Sequence, residues 1–163
     1  MAAKIIVLGI GNILLSDDGV GVRLLENLRF QYPCLPDVTY LDGGVLGLNL
    51  AVWLQDVNGL IVLDAAELGT APGTVQIIME KEMDTLGIKL GRSAHDLRIL
   101  DLLTISQFTG IMPQHRALVA IQYQNIDWGL ELSDAVQQAL PQATLKIYEL
   151  ILQWSKVLGD KKC

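Results

Sequence analysis

Cysteine is nearly missing from this chain: its 163 residues include only Cys34 and Cys163. Two thiols cannot make a disulfide framework, and their spacing fits no zinc-ligand pattern. The terminal Lys161-Lys162-Cys163 is not a prenylation box. Cys34 follows Pro33 in an expected loop, a poor setting for a cysteine nucleophile. Histidine is equally scarce, with His95 and His115 alone. Charged residues make up 18% of the chain, below the usual quarter or so. Their balance is acidic, −6, whereas general nucleic-acid binding needs a basic surface to displace counterions. No apolar run approaches the roughly eighteen residues of a membrane span, because Gly, Asp, Asn or Lys interrupts each one. Met1-Ala2-Ala3-Lys4 leads straight into an apolar strand without signal-peptide architecture, so the expectation is a cytoplasmic chain. There is no Gly-x-Ser-x-Gly elbow, no His-Glu-x-x-His and no P-loop. Repeats, low-complexity segments and linkers are missing too. The whole span 1–163 therefore reads as one domain with a real core.

What the chain does have is an alternation of strand and helix patterns. Lys4–Leu8 predicts a first strand, and Gly19–Tyr32 a helix with Val20, Leu24, Leu25 and Leu28 on one face. Val38–Leu41 predicts a second strand, Leu46–Leu54 a short apolar helix, and Leu60–Leu63 a third strand ending at Asp64. Thr74–Met79 follows as a fourth strand after the Ala71-Pro72-Gly73 turn. Glu80–Arg92 is polar and reads as a loop. Asp96–Phe108 predicts a helix and Ala117–Gln122 a fifth strand. Ser133 is placed to cap a long last helix, which Pro141 should kink or restart. Such alternation predicts an α/β three-layer sandwich: a mostly parallel, about five-stranded twisted sheet with helices on both faces. Ligands in such sheets bind beyond the C-terminal strand ends. Asp17, Asp18, Asp42 and Asp64 all fall just after predicted strands.

The first turn, Gly9-Ile10-Gly11-Asn12-Ile13-Leu14-Leu15-Ser16-Asp17-Asp18-Gly19-Val20-Gly21, begins like a dinucleotide-binding loop. The third glycine of that fingerprint is replaced by Leu14. Asp17 and Asp18 then bring negative charge to a helix start that would otherwise attract phosphate. A like charge at ~4 Å costs about 4 kcal/mol at an effective dielectric of ~20. The helix dipole offers roughly 1 kcal/mol in return. Pyrophosphate binding is thereby disfavoured and a cation favoured. Capping explains one Asp but does not require the second. Asp64 closes an apolar strand, where a carboxylate must be solvated, paired or on a metal. His95 opens a predicted helix, and His115 reads as a surface loop residue. Brought together, Asp18, Asp64 and His95 would suit a divalent metal such as nickel, zinc or cobalt, with open positions for water or substrate. Two aspartates could instead form an acid/base pair without metal. These residues alone leave both mechanisms open.

Six ordered segments resemble the nickel–iron hydrogenase maturation endopeptidases. They are the first turn, Asp42-Gly43-Gly44, Leu63-Asp64-Ala65-Ala66, Ala71-Pro72-Gly73-Thr74, Ser93-Ala94-His95-Asp96-Leu97 and Trp128-Gly129-Leu130-Glu131-Leu132-Ser133. The resemblance implies an endopeptidase that removes a C-terminal extension from the hydrogenase large-subunit precursor after nickel insertion. It implies that Asp18, Asp64 and His95 contact nickel carried by that substrate and serve catalysis, with Asp42, Gly43 and Gly44 beside them. Asp17 becomes a cap or a neighbouring charge. Several family members carry Glu at the position of Asp18, so the side chain here reaches one methylene less far. The implied partner is the precursor alone, with no nucleic acid or membrane, and the protease is expected to be a monomer. Two other readings stand beside this one: a metallopeptidase with its own zinc, and a nickel-binding chaperone of the large subunit that cuts nothing.

Overall fold

The computed structural model describes residues 4–43, 50–85, 104 and 106–160. Its centre is a five-stranded sheet in the order β2-β1-β3-β5-β4. The strands are β1 (Ile5–Gly9), β2 (Val38–Asp42), β3 (Gly59–Ala66), β4 (Val75–Met79) and β5 (His115–Gln122). β1 pairs in parallel with both β2 and β3, and β3 pairs in parallel with β5. β4 alone runs antiparallel, at the β5 edge. This is the mostly parallel sheet that the strand–helix alternation predicts.

β1 and β3 are buried along their whole length. They read as continuous apolar runs because both faces of the sheet are covered. Alternate residues supply two cores. Ile5, Val7, Ile61, Leu63, Val119 and Ile121 face one side. There they meet Leu24, Leu25 and Leu28 of α1 (Val20–Gln31). The last helix, which we label α4 (Asp134–Asp160), adds Ile147, Ile151 and Trp154 to the same side. Tyr32 stacks on Tyr148 with ring centroids 4.0 Å apart, joining the end of α1 to α4. Ile6, Leu8, Leu60, Val62 and Leu118 face the other way, against Leu54, Val57 and Met83. Those covering residues belong to or follow α2 (Leu50–Trp53) and α3 (Glu80–Asp84). The sheet thus lies between two covering layers.

Three local expectations change. Glu80–Asp84 is a helix, not loop: Met83 is fully buried, and Asp84 accepts from the Nε–H and an Nη2–H of Arg116 in β5. The rest of that expected loop, from residue 86 onward, lies outside the described residues. His115 is not a surface loop residue. It opens β5, with Nδ1 3.4 Å from a Glu80 carboxylate oxygen and its ring 5.7 Å from that of Trp154. α4 runs through Pro141 without a second start. Of the helix expected at 96–108, only its end is described, and 106–109 are helical. No helix among the described residues is long and apolar enough to cross a membrane.

Candidate functional site

Chain order puts β2 on one side of β1 and β3 on the other. The crevice of such a sheet lies at the C-terminal ends of β1 and β3, where the connections diverge. The register lines up Gly9 with both Asp42 and Leu63, so Asp42 and Asp64 flank the end of β1 from its two neighbours. The Ile10 N–H donates to the Leu63 carbonyl at 2.9 Å, and the Gly43 N–H to the Gly9 carbonyl at 2.7 Å. Both strand ends are therefore fastened to β1 where the first turn departs.

That turn is held by close backbone packing. A Cβ on Gly21 would lie 2.2 Å from the Leu63 carbonyl oxygen and 2.3 Å from that of Ile10. Only glycine lets the start of α1 sit directly on the ends of β1 and β3. Gly11 has φ +136°, and a Cβ there would fall 1.9 Å from the Asp18 carbonyl oxygen. Two glycines of the loop thus admit a tight turn with no phosphate involved.

Asp17 and Asp18 lie in a 3-10 turn, Ser16–Gly19, ahead of α1. Gly19 is the N-cap of α1, and no side chain caps it. The capping explanation for the aspartate pair is therefore set aside: the two carboxylates serve other partners. Asp17 is fully buried and accepts four hydrogen bonds. The Gln124 and Asn125 N–H groups donate to Oδ2 at 2.8 and 3.0 Å. Ser133 donates its N–H to Oδ1 at 2.7 Å and its hydroxyl to Oδ2 at 2.8 Å. Asp17 is thus a clamp between the first turn and the segment leading into α4. The expected cap at Ser133 takes a related form. Its carbonyl accepts the Gln137 N–H at 2.8 Å, as an N-cap does, but its hydroxyl goes to Asp17.

Asp18 points elsewhere. It is fully buried, and its Oδ2 accepts the Asn12 N–H at 2.9 Å. Asp64 is also buried, at 1% exposure, and its Oδ1 accepts the Ala65 N–H at 2.8 Å. β3 continues to Ala66, so Asp64 is inside the strand and not a solvated strand-end residue. The 3-10 turn packs directly against β3, which brings the Asp18 and Asp64 elements together. His95 and Gly44 lie outside the described residues. The described residues alone contain no cluster of three metal-ligating side chains.

Two functional contributions were not assigned from sequence. Asn12 orients Asp18 through its N–H, while its side-chain oxygen accepts the Leu14 N–H at 2.9 Å. Ser16 has φ +49°, a strained region for a residue with a Cβ. It is held there by its N–H on the Gly129 carbonyl at 2.8 Å and its hydroxyl on the Asp127 carbonyl at 2.9 Å. The available signal was that both belong to the first of the six segments. The Ala71–Thr74 segment proves to be a turn, with the Gly73 N–H on the Gln122 carbonyl at 2.8 Å.

Chemically, the arrangement offers buried carboxylates, each oriented by a backbone N–H, at the mouth of a parallel sheet. Carboxylates so held suit a cation or a proton and repel phosphate.

Comparison with known proteins shows what the chain as a whole is similar to. A family model described as hydrogenase maturation protease matches residues 22–151. The Hydrogenase 2 maturation protease of Escherichia coli (strain K12) is 36% identical over 142 residues, covering 86% of this chain and 85% of its own. The hydrogenase expression/formation protein HupD of Rhizobium leguminosarum bv. viciae is 34% identical over 154 residues, covering 94% of this chain and 76% of its own. Among solved structures, the hydrogenase maturating endopeptidase HybD from E. coli superposes with a TM-score of 0.83 at 32% identity, covering 92% and 93% of the two chains.

Proposed function

Because the chain belongs to the hydrogenase maturation protease family and is an endopeptidase, we propose that it cuts a nickel–iron hydrogenase large-subunit precursor once, with Asp18, Asp64 and His95 recognising nickel that the precursor already holds. The cut removes a C-terminal extension. One observation carries the reading: Asp18 and Asp64 are both buried, and each is oriented by a backbone N–H at the β1–β3 crevice.

Burying two carboxylates is costly unless a cation or a proton compensates. Hard oxygen donors joined by an imidazole suit divalent nickel. If substrate thiolates hold the metal from one side, these harder ligands complete its shell from the other. A precursor without nickel then offers the carboxylates no cation to meet.

Hydrolysis adds one water across the scissile bond. Its oxygen bonds to the carbonyl carbon, the C–N bond breaks, and the water's proton ends on the departing amine. The residues of this chain hold the water and its proton: Asp18 or Asp64 accepts the proton and returns it to the nitrogen.

The test is to incubate the purified protein with nickel-loaded and nickel-free precursor and weigh the products. Cleavage of the loaded form alone is expected. Equal cleavage of both overturns nickel recognition, and cleavage of neither overturns the assignment of substrate.

A further inference from the structure

The rim of the site is made from two segments far apart in sequence. Leu15 and Gly129 pair as an isolated parallel bridge. The Gly129 N–H donates to the Leu14 carbonyl at 2.9 Å, and the Ser16 N–H to the Gly129 carbonyl at 2.8 Å. These backbone groups are used within the chain, so an incoming peptide cannot pair with them as an added strand. Recognition at this rim must therefore use side chains.

The side chains presented there are large and apolar. Trp128 is 80% exposed and Leu14 46%, and Ile13 and Leu130 are exposed as well. Leu14 and Trp128 each directly precede a residue of the bridged pair, so their backbones lie near one another. A tryptophan this exposed among apolar neighbours is the composition of an interface anchor. The patch also connects to the acidic centre without a break. The Leu14 N–H rests on the Asn12 side-chain oxygen, and the Asn12 N–H on Asp18, both at 2.9 Å. At its far side Arg23, itself paired with Glu26, donates to the Leu130 carbonyl at 3.4 Å and gives the patch a charged border. An apolar centre with a polar edge is how protein-docking surfaces are arranged.

We propose that Leu14 and Trp128, flanked by Ile13 and Leu130, form the docking face for an apolar patch on the folded precursor next to the bond being cut. This rests on the function proposed above. The occupant follows from position: the face adjoins the Asp18 turn, so whatever covers it lies against the reacting centre. A second copy seated there would shut the site. These residues set affinity for the protein substrate and touch no reacting atom.

The experiment measures cleavage of nickel-loaded precursor and, separately, calorimetric binding of the same precursor. It compares wild type with Trp128→Ala, Leu14→Ala and Phe30→Ala. Phe30 is an equally exposed aromatic near the far end of α1. Trp128→Ala is expected to raise KM and Kd at least tenfold while kcat falls less than threefold. Leu14→Ala should act in the same direction, and Phe30→Ala should match wild type. All three melt with the wild-type midpoint, since each side chain is exposed. Cleavage with KM and Kd unmoved in Trp128→Ala and Leu14→Ala overturns the docking face. So does a wild-type dimer that Trp128→Ala disperses without changing KM. Binding that Trp128→Ala abolishes, with no cleavage by wild type, keeps the docking face and overturns the proposed reaction.

Discussion

Asp17 and Ser133, 116 residues apart, are joined by two hydrogen bonds: the serine N–H and hydroxyl both donate to the one carboxylate. The neighbouring Asp18 turns the other way, to Asn12. Two adjacent residues of one type therefore do different work. One fixes the loop before α4, and the other is held within the first turn by the Asn12 N–H.

Asp17→Asn should unfold more easily. The replacement amide brings N–H donors to a place already occupied by four donors. A buried network of this kind loses roughly 2–4 kcal/mol when one partner is mismatched. Urea denaturation followed by circular dichroism gives the value. Stability equal to wild type would show that the clamp contributes nothing.

Asp18→Asn and Asp64→Asn should remain folded, because an amide oxygen can still accept the Asn12 or Ala65 N–H. Cleavage of nickel-loaded precursor should fall by about 100-fold or more in each, in the range for loss of a general base. Mass spectrometry of the products reads it. Near-wild-type rates in both would remove these carboxylates from the reaction.

Gly21→Ala should damage both stability and activity. Its methyl group would need the space of two backbone oxygens, at 2.2 and 2.3 Å, and neither belongs to a flexible side chain. α1 must move off the strand ends, at a cost of about 3 kcal/mol or more. Thermal melting and the cleavage rate should fall together. Wild-type values for both would contradict the close packing.

Alkaline pH should weaken the fold through Tyr40. Burial raises its phenol pKa above the ordinary value, against a smaller opposing effect of Arg29. Its hydroxyl donates to the Tyr32 carbonyl at 3.0 Å. The unfolded chain releases this proton near pH ~10, before the folded one does. The contribution is thus complete below about pH 10 and is lost as pH rises through the folded value. Tyr40→Phe should flatten this dependence between pH 9 and 11 or so in chemical denaturation; an unchanged slope would assign it to another group.

The parts of the fold legible in the sequence are those governed by local pattern. β1, Leu60–Leu63 of β3 and Ala117–Ile121 of β5 are buried and appear as apolar runs. α1 shows its Leu24–Leu25–Leu28 face directly. α3 was hidden because one buried residue, Met83, anchors an otherwise polar segment. His115 was hidden for a similar reason: burial comes from Trp154 and Glu80, both distant in sequence. In the site, Asp18 follows β1 as its place in the sequence suggests, whereas Asp64 lies inside β3 and not after it. The task of Asp17 was not legible, because its partners begin 107 residues away.

The pairing of Leu15 with Gly129 has a consequence for timing. A chain emerging from the ribosome makes β1 and the Asp18 turn before the rest of the sheet. The walls that hold that turn, Asn125, Gly129 and Ser133, come more than a hundred residues later. Closing so long a loop is entropically slow and cannot precede synthesis of its far end. A truncated chain would carry the carboxylates without the scaffold that aims them. The first turn therefore gains its walls only once residue 133 has been made.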